Sequence, residues 1–174
     1  VYKRQVLLLR YHTPRYLEQE RMSLDARLET QSGAVIRLLG YSLRDDMGRA
    51  VEGLETAPGG EVRLTLYWQA ESRVAGEYVV FCHLLDGTGW LRGQQDNPPR
   101  RGTFPTSAWT PGETVIDVYQ IPLAADTPLG EALIEVGMYD PVDGQRIPVQ
   151  GLDSDPEQRR ILLRDVVTVQ RIEP

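Results

Sequence analysis

Residues that build reactive sites are scarce in this chain. It has one cysteine, Cys82, and two histidines, His12 and His83, among 174 residues. One thiol forms no internal disulfide. Cys82 lies inside the apolar run 78–85, where a buried, inert thiol is expected. The two histidines are far apart and no Cys/His cluster has zinc spacing, so no metal is expected. No Gly-x-Ser-x-Gly elbow is present. The Gly59-Gly60 and Gly87-x-Gly89 pairs precede strands rather than helices, so neither forms a helix-terminus phosphate site.

Lysine is nearly missing, arginine carries the positive charge, and the formal net charge is −6. No basic patch dominates, so nucleic acid is not an expected partner. The acidic balance also disfavours docking on anionic lipid headgroups. There is no run of about 18 apolar residues, the length a helix needs to cross a bilayer, and no signal peptide. The chain starts on Val rather than Met and reads as a piece of something larger.

What is present is β grammar. In Glu61–Ala70 the residues Val62, Leu64, Leu66, Trp68 and Ala70 alternate with Arg63, Thr65, Tyr67 and Gln69. That period of two predicts a half-buried strand. Further strands are expected at 26–30, 35–43, 90–96, 114–123, 131–139, 145–149 and 161–172. The run 78–85 is apolar on both faces and predicts a central strand covered on both sides. Pro58-Gly59-Gly60, Asp86-Gly87-Thr88-Gly89 and Asp140 to Gly144 are turn signals. Residues 1–24 look different and are expected to be a lead-in. Residues 25–174 then form one domain, an all-β antiparallel two-sheet sandwich, immunoglobulin-like or jelly-roll.

The order Ile36-Arg37-Leu38-Leu39-Gly40-Tyr41, Leu64 to Ala70, Val80 to Asp86, Pro105-Thr106-Ser107-Ala108-Trp109-Thr110-Pro111-Gly112-Glu113 and Val136 to Pro141 resembles a family. It is the soluble C-terminal β-sandwich of multi-spanning bacterial membrane glycosyltransferases of the protein-mannosyltransferase or aminoarabinose-transferase type. The resemblance covers roughly 25–170, and Pro-Thr-Ser-x-Trp-x-Pro-Gly-Glu is its most specific piece. Ala132 departs from an aromatic in the family pattern. The resemblance implies a domain on the extracytoplasmic face of the membrane, tethered behind the parent's transmembrane region, with 1–24 as the juxtamembrane segment. It supplies no catalytic set, and no cofactor is expected.

Three functional classes follow. The first is a non-enzymatic accessory domain contacting glycan or lipid-linked sugar. Its expected ligand-binding residues are Trp90, Gln95, Asp96, Arg100 and Trp109, with Arg101, Tyr119 and Tyr139 as further polar or aromatic partners. The long Pro- and Gly-rich stretch 97–112 would carry several of them to one rim. Against this, Trp109 would instead anchor that loop by burying its ring. The second class is a structural or protein-interaction module with no small-molecule ligand. The third is a hydrolase built on Asp96, Glu113 and Asp117. The plainer reading is that Asp96 caps a turn and Asp117 meets an arginine on a neighbouring strand. His83 is expected to be a hydrogen-bonded core or interface histidine.

Overall fold

A computed structural model describes residues 22–171. The lead-in expected over 1–24, and His12 within it, lie outside the described residues as far as residue 21. Twelve strands follow. They are β1 (Met22–Glu29), β2 (Val35–Arg44), β3 (Ala50–Val51), β4 (Leu54–Thr56), β5 (Glu61–Ala70) and β6 (Val79–Asp86). Then come β7 (Leu91–Asn97), β8 (Thr114–Pro122), β9 (Gly130–Tyr139), β10 (Val149–Gly151), β11 (Ser154–Asp155) and β12 (Arg160–Val169).

The first sheet runs β10-β1-β2-β5-β8, with β3 beside β2. The second runs β11-β12-β9-β6-β7, with β4 beside β12. Every pairing is antiparallel except β4 with β12. The two sheets enclose one core, so the sandwich expected from the strand pattern is the fold. The chain crosses between sheets at β3–β4, β4–β5, β5–β6, β7–β8, β8–β9, β9–β10 and β10–β11. The pairs β5/β8 and β6/β9 are therefore interlocked.

The inner faces follow the alternation. Val62, Leu64, Leu66, Trp68 and Ala70 are fully buried, as are Val80, Cys82, Leu84, Ile134, Val136 and Met138. Val167 and Val169 also point inward. On β2 the inward set is Ile36 and Leu38, then Tyr41 and Leu43. A register shift between Leu38 and Gly40 inserts the extra residue that moves the parity, as a bulge does.

Three expectations are corrected. β5 is not half-buried, because Thr65 and Tyr67 on its outward face are buried as well. β5 is interior to its sheet, flanked by β2 and β8, and the Tyr67 and Ser42 hydroxyls lie 3.3 Å apart there. The 145–149 segment returns onto β9 only at Arg146 and Ile147. Val149 instead joins β1 as the edge of the first sheet. The closing strand ends at Val169 rather than at 172.

The side where β7 faces β8 is tightly closed. Gly93 bridges Leu123, and a Cβ on Gly93 would sit 2.4 Å from the Pro122 carbonyl oxygen. Only glycine allows the two strands to approach this closely.

Candidate functional site: the outer face of the second sheet

Register assigns the outward side chains of β7, β6, β9 and β12 to cross-strand rows. Leu91, Leu85 and Leu133 share the first row, next to the β6–β7 turn. Gln94, His83, Glu135 and Leu162 share the second. Asp96, Phe81 and Gly137 share the third, and Tyr139 stands in the fourth opposite Val79. The sheet thus grades from an aliphatic end to a polar and aromatic end.

The polar rows are wired together. His83 Nε2 is 3.0 Å from Asp96 Oδ1 and His83 Nδ1 is 2.9 Å from Glu135 Oε1. Glu135 also accepts from Arg146 at 2.9 Å and from Arg160 at 2.7 Å. Arg160 continues to Asp155 at 3.1 Å. The Arg146 guanidinium lies 4.1 Å over the Phe81 ring, a cation–π contact that keeps this outward phenylalanine 1% exposed. The two-sided burial expected for β6 is observed, with Val79 and Leu85 buried on the outward side beside Phe81.

Burial works against a charged His83, but the bonds from Asp96 and Glu135 outweigh it and raise its pKa to about 9. Burial likewise opposes ionised Glu135. Its bonds from His83, Arg160 and Arg146 outweigh that and lower it to about 2. At neutral pH the face therefore carries ionised partners that neutralise one another. It offers no neutral imidazole to act as a general base.

The five residues expected to bind ligand fall in different places. Trp90 is 71% exposed. It sits on a turn locked by Asp86. The Oδ1 of Asp86 accepts from the Thr88 N–H at 2.9 Å, the Thr88 hydroxyl at 2.6 Å and the Trp90 N–H at 3.1 Å. Its Oδ2 accepts from Arg92 at 2.7 Å. Thr88 and Arg92 hold the Asp86 carboxyl well below its ordinary pKa.

Asp96 joins the His83 network, so it is no turn cap. Its neighbour Gln95 has the opposite parity. Gln95 Oε1 accepts the Gln120 N–H and its amide donates to Asn97 at 3.0 Å. Arg100 Nε donates to the Ile116 carbonyl at 3.1 Å. Gln95 and Arg100 thus cap the backbone of the edge strand β8, which blunts it against further pairing. Trp109 is 3% exposed, and its indole N–H donates to the Phe104 carbonyl at 3.1 Å. It anchors the long loop. Gln95, Arg100 and Trp109 are corrected from ligand contacts to structural parts.

Tyr119 is corrected too. It is buried, and its hydroxyl donates to Asp117 Oδ2 at 2.6 Å. Asp117 is 1% exposed. The arginine it meets lies in the loop rather than on a strand: it accepts the backbone N–H of Arg100 at 3.0 Å. Burial raises its pKa. Asp96 faces outward from the second sheet and Asp117 inward from the first, so these two carboxylates do not converge; Glu113 is exposed just ahead of β8. Cys82 is fully buried, and desolvation pushes its thiol well above the ordinary range. Among the described residues, no group of three or more His, Cys, Asp or Glu side chains is placed to hold a metal. No helix among them is long and apolar enough to cross a membrane.

Sequence reasoning did not single out Glu135, Arg146 or Arg160. One signal was available for Glu135, an acidic residue inside the otherwise apolar run 132–138. Register then puts it directly opposite His83.

Fold and face together define an all-β sandwich module with one polar, charge-compensated sheet face and an exposed tryptophan at its end. No family model and no curated protein matches the chain. Among solved structures it is similar to the C-terminal domain of wzt. The two share 14% identity with a TM-score of 0.45, over 78% of this chain and 75% of that one.

Proposed function

We propose that this sandwich is a non-catalytic accessory domain that contacts glycan, with Trp90 as its platform. The parent is a membrane glycosyltransferase and the domain works on the extracytoplasmic side, as the Pro-Thr-Ser-x-Trp-x-Pro-Gly-Glu resemblance implies. Its partners are then the parent's transmembrane region and a glycan or lipid-linked sugar.

The observation that carries the reading is Trp90. Large apolar rings are normally buried, and this one is 71% exposed. Its turn is fixed by one carboxylate, so little order has to be gained on binding. An exposed indole on a backbone fixed by Asp86 suits the apolar CH face of a sugar ring.

The test uses the protein's own fluorescence. Trp68 and Trp109 are buried and Trp90 is exposed, so a ligand on Trp90 shifts one tryptophan selectively. A panel of oligosaccharides is titrated against the chain and against Trp90→Ala. Saturable shifts that vanish in the variant support the reading. No shift at millimolar concentration overturns it.

A second reading, a protein-interaction module, has its own support. Leu91, Leu129 and Val118 are about half exposed. Concentration-dependent self-association, or capture of the parent's other segments that survives Trp90→Ala, would favour it.

A further inference from the structure

We infer that the outer face of the first sheet is a docking surface for the chain's own residues 1–21, with the apolar run Val6-Leu7-Leu8-Leu9 covering Tyr67. The packing stands whether or not a glycan meets Trp90, and the oligosaccharide titration does not bear on it.

Register defines the outward rows of this sheet. Gly40, Tyr67 and Ile116 share one row, and Ser42, Thr65 and Val118 share the next. The opposite parity on β5, Leu64, Leu66 and Trp68, supplies the core. Tyr67 stands outside that core cluster, yet it is fully buried. Ser42 and Thr65 are buried beside it. Three adjoining side chains on an outer face are therefore shut off from water. The Ser42 and Tyr67 hydroxyls lie 3.3 Å apart and satisfy one another, as groups in a closed site must.

The described strands do not account for this burial. They form two layers, and the second layer lies on the inner side, against Trp68. Among the described elements, β5 is flanked by β2 and β8 and also meets β4. These close its sides and its inner face. An antiparallel sheet with nothing stacked on its outer face leaves that face wet.

The lead-in enters at the right place. β1 begins at Met22. Ser23 pairs with Gly40, which pairs with Tyr67. The chain thus joins the sheet level with Tyr67, two strand spacings or about 10 Å away. Between Leu9 and Met22 an extended chain reaches roughly 40 Å. The other terminus does not compete. Gln170 bonds Thr56, near the start of β5, and residues 172–174 reach only about 10 Å further. Tyr67 lies roughly 20 Å along β5 from Glu61.

The surface suits its occupant. Consecutive aliphatic residues need apolar area to cover. The Tyr67 ring, half-buried Ile116 and the Thr65 methyl offer it. Gly40 has no side chain, which leaves room above β2. Val118 on the same face is about half exposed, so the cover lies over β2 and β5 and stops short of the β8 edge.

Photo-cross-linking of the full chain tests the placement. Cys82 is fully buried, so Arg10→Cys adds one accessible thiol beside the run and leaves the run intact. That thiol takes a benzophenone maleimide, and the irradiated protein is mapped by peptide mass spectrometry. The expected cross-links fall within one chain, on 40–44, 63–69 or 116–118. Cross-links to the second sheet, or none, overturn the inference. Cross-links between two chains overturn it in favour of a second copy on this face.

Nitration by tetranitromethane tests the run itself, comparing the full chain with its Leu7→Asp/Leu8→Asp variant. Tyr67 should resist in the unaltered chain and react at least about tenfold faster in the variant. Tyr119, buried in the core, should stay unreactive in both. Unchanged protection of Tyr67 in the variant overturns the assignment to residues 6–9. If Tyr119 reacts as well, the sandwich itself has opened, and the cross-link map alone decides.

Discussion

The Asp117 carboxylate on β8 accepts the backbone N–H of Arg100 at 3.0 Å, and Arg100 is a left-handed residue with φ of 51°. Arg101 follows at 54° and Gly102 at 81°, so three consecutive residues turn the wrong way for L-amino acids. A buried acid holds the turn. Its other oxygen is occupied by the Tyr119 hydroxyl at 2.6 Å. The long loop 98–113 is thereby pinned at this end by Asp117 and further along by Trp109.

Replacing Asp117 by Ala should lower stability by roughly 2–4 kcal/mol, because a buried hydroxyl and a strained N–H both lose their acceptor. Chemical denaturation measures it. Arg101→Gly should instead be neutral or stabilising by up to about 1 kcal/mol, since glycine accepts positive φ freely. A loss of stability in Arg101→Gly would mean that its side chain matters more than its backbone.

The two exposure extremes among the tryptophans give opposite outcomes. Trp109→Ala should cost about 3–5 kcal/mol through cavity formation and should speed amide exchange across 98–113. Trp90→Ala should change stability by no more than about 0.5 kcal/mol. Paired melting curves decide this.

His83 and Glu135 set a pH window. The His83 pKa rises on folding from 6.5 to about 9, so its contribution is complete below 6.5 and is lost as pH climbs through 9. The Glu135 pKa falls from 4.5 to about 2, so its contribution is complete above 4.5 and is lost as pH drops through 2. Stability from this pair is fullest between those inner limits and declines on both sides. The alkaline decline should be on the order of 1–3 kcal/mol. In His83→Gln the melting temperature should stay flat between pH 6.5 and 9, the limits set by the imidazole. An unchanged alkaline decline in that variant would assign it to another group.

Gly93→Ala should destabilise by about 1–3 kcal/mol. Its Cβ meets the Pro122 carbonyl oxygen at 2.4 Å, and the β7–β8 side must open to admit it. Ala at Gly89, where no atom lies within 4 Å of the added carbon but φ is +86°, should cost only about 1–2 kcal/mol of backbone strain. Amide exchange at Leu123 and Ala124 separates the two, rising in Gly93→Ala alone.

By itself the sequence determined the strands and their inward faces. Period-two alternation is a local property of the pleat, so Val62 to Ala70 and Ala132 to Met138 declare their buried side without any partner. The burial of Trp68 and Cys82 followed from the same parity. The partners were not in the sequence. Gln95 and Asp96 are adjacent in the chain, yet one caps β8 and the other bonds His83, because neighbouring residues in a strand point to opposite faces. His83 and Glu135 meet across 52 residues of chain. That pairing exists only once β6 and β9 align in register, and so the charged face was decided by tertiary structure. Trp90 and Trp109 are the same residue type beside similar turns. Trp109 joins the core cluster and donates its indole N–H to the Phe104 carbonyl, whereas Trp90 stays 71% exposed at the β6–β7 turn.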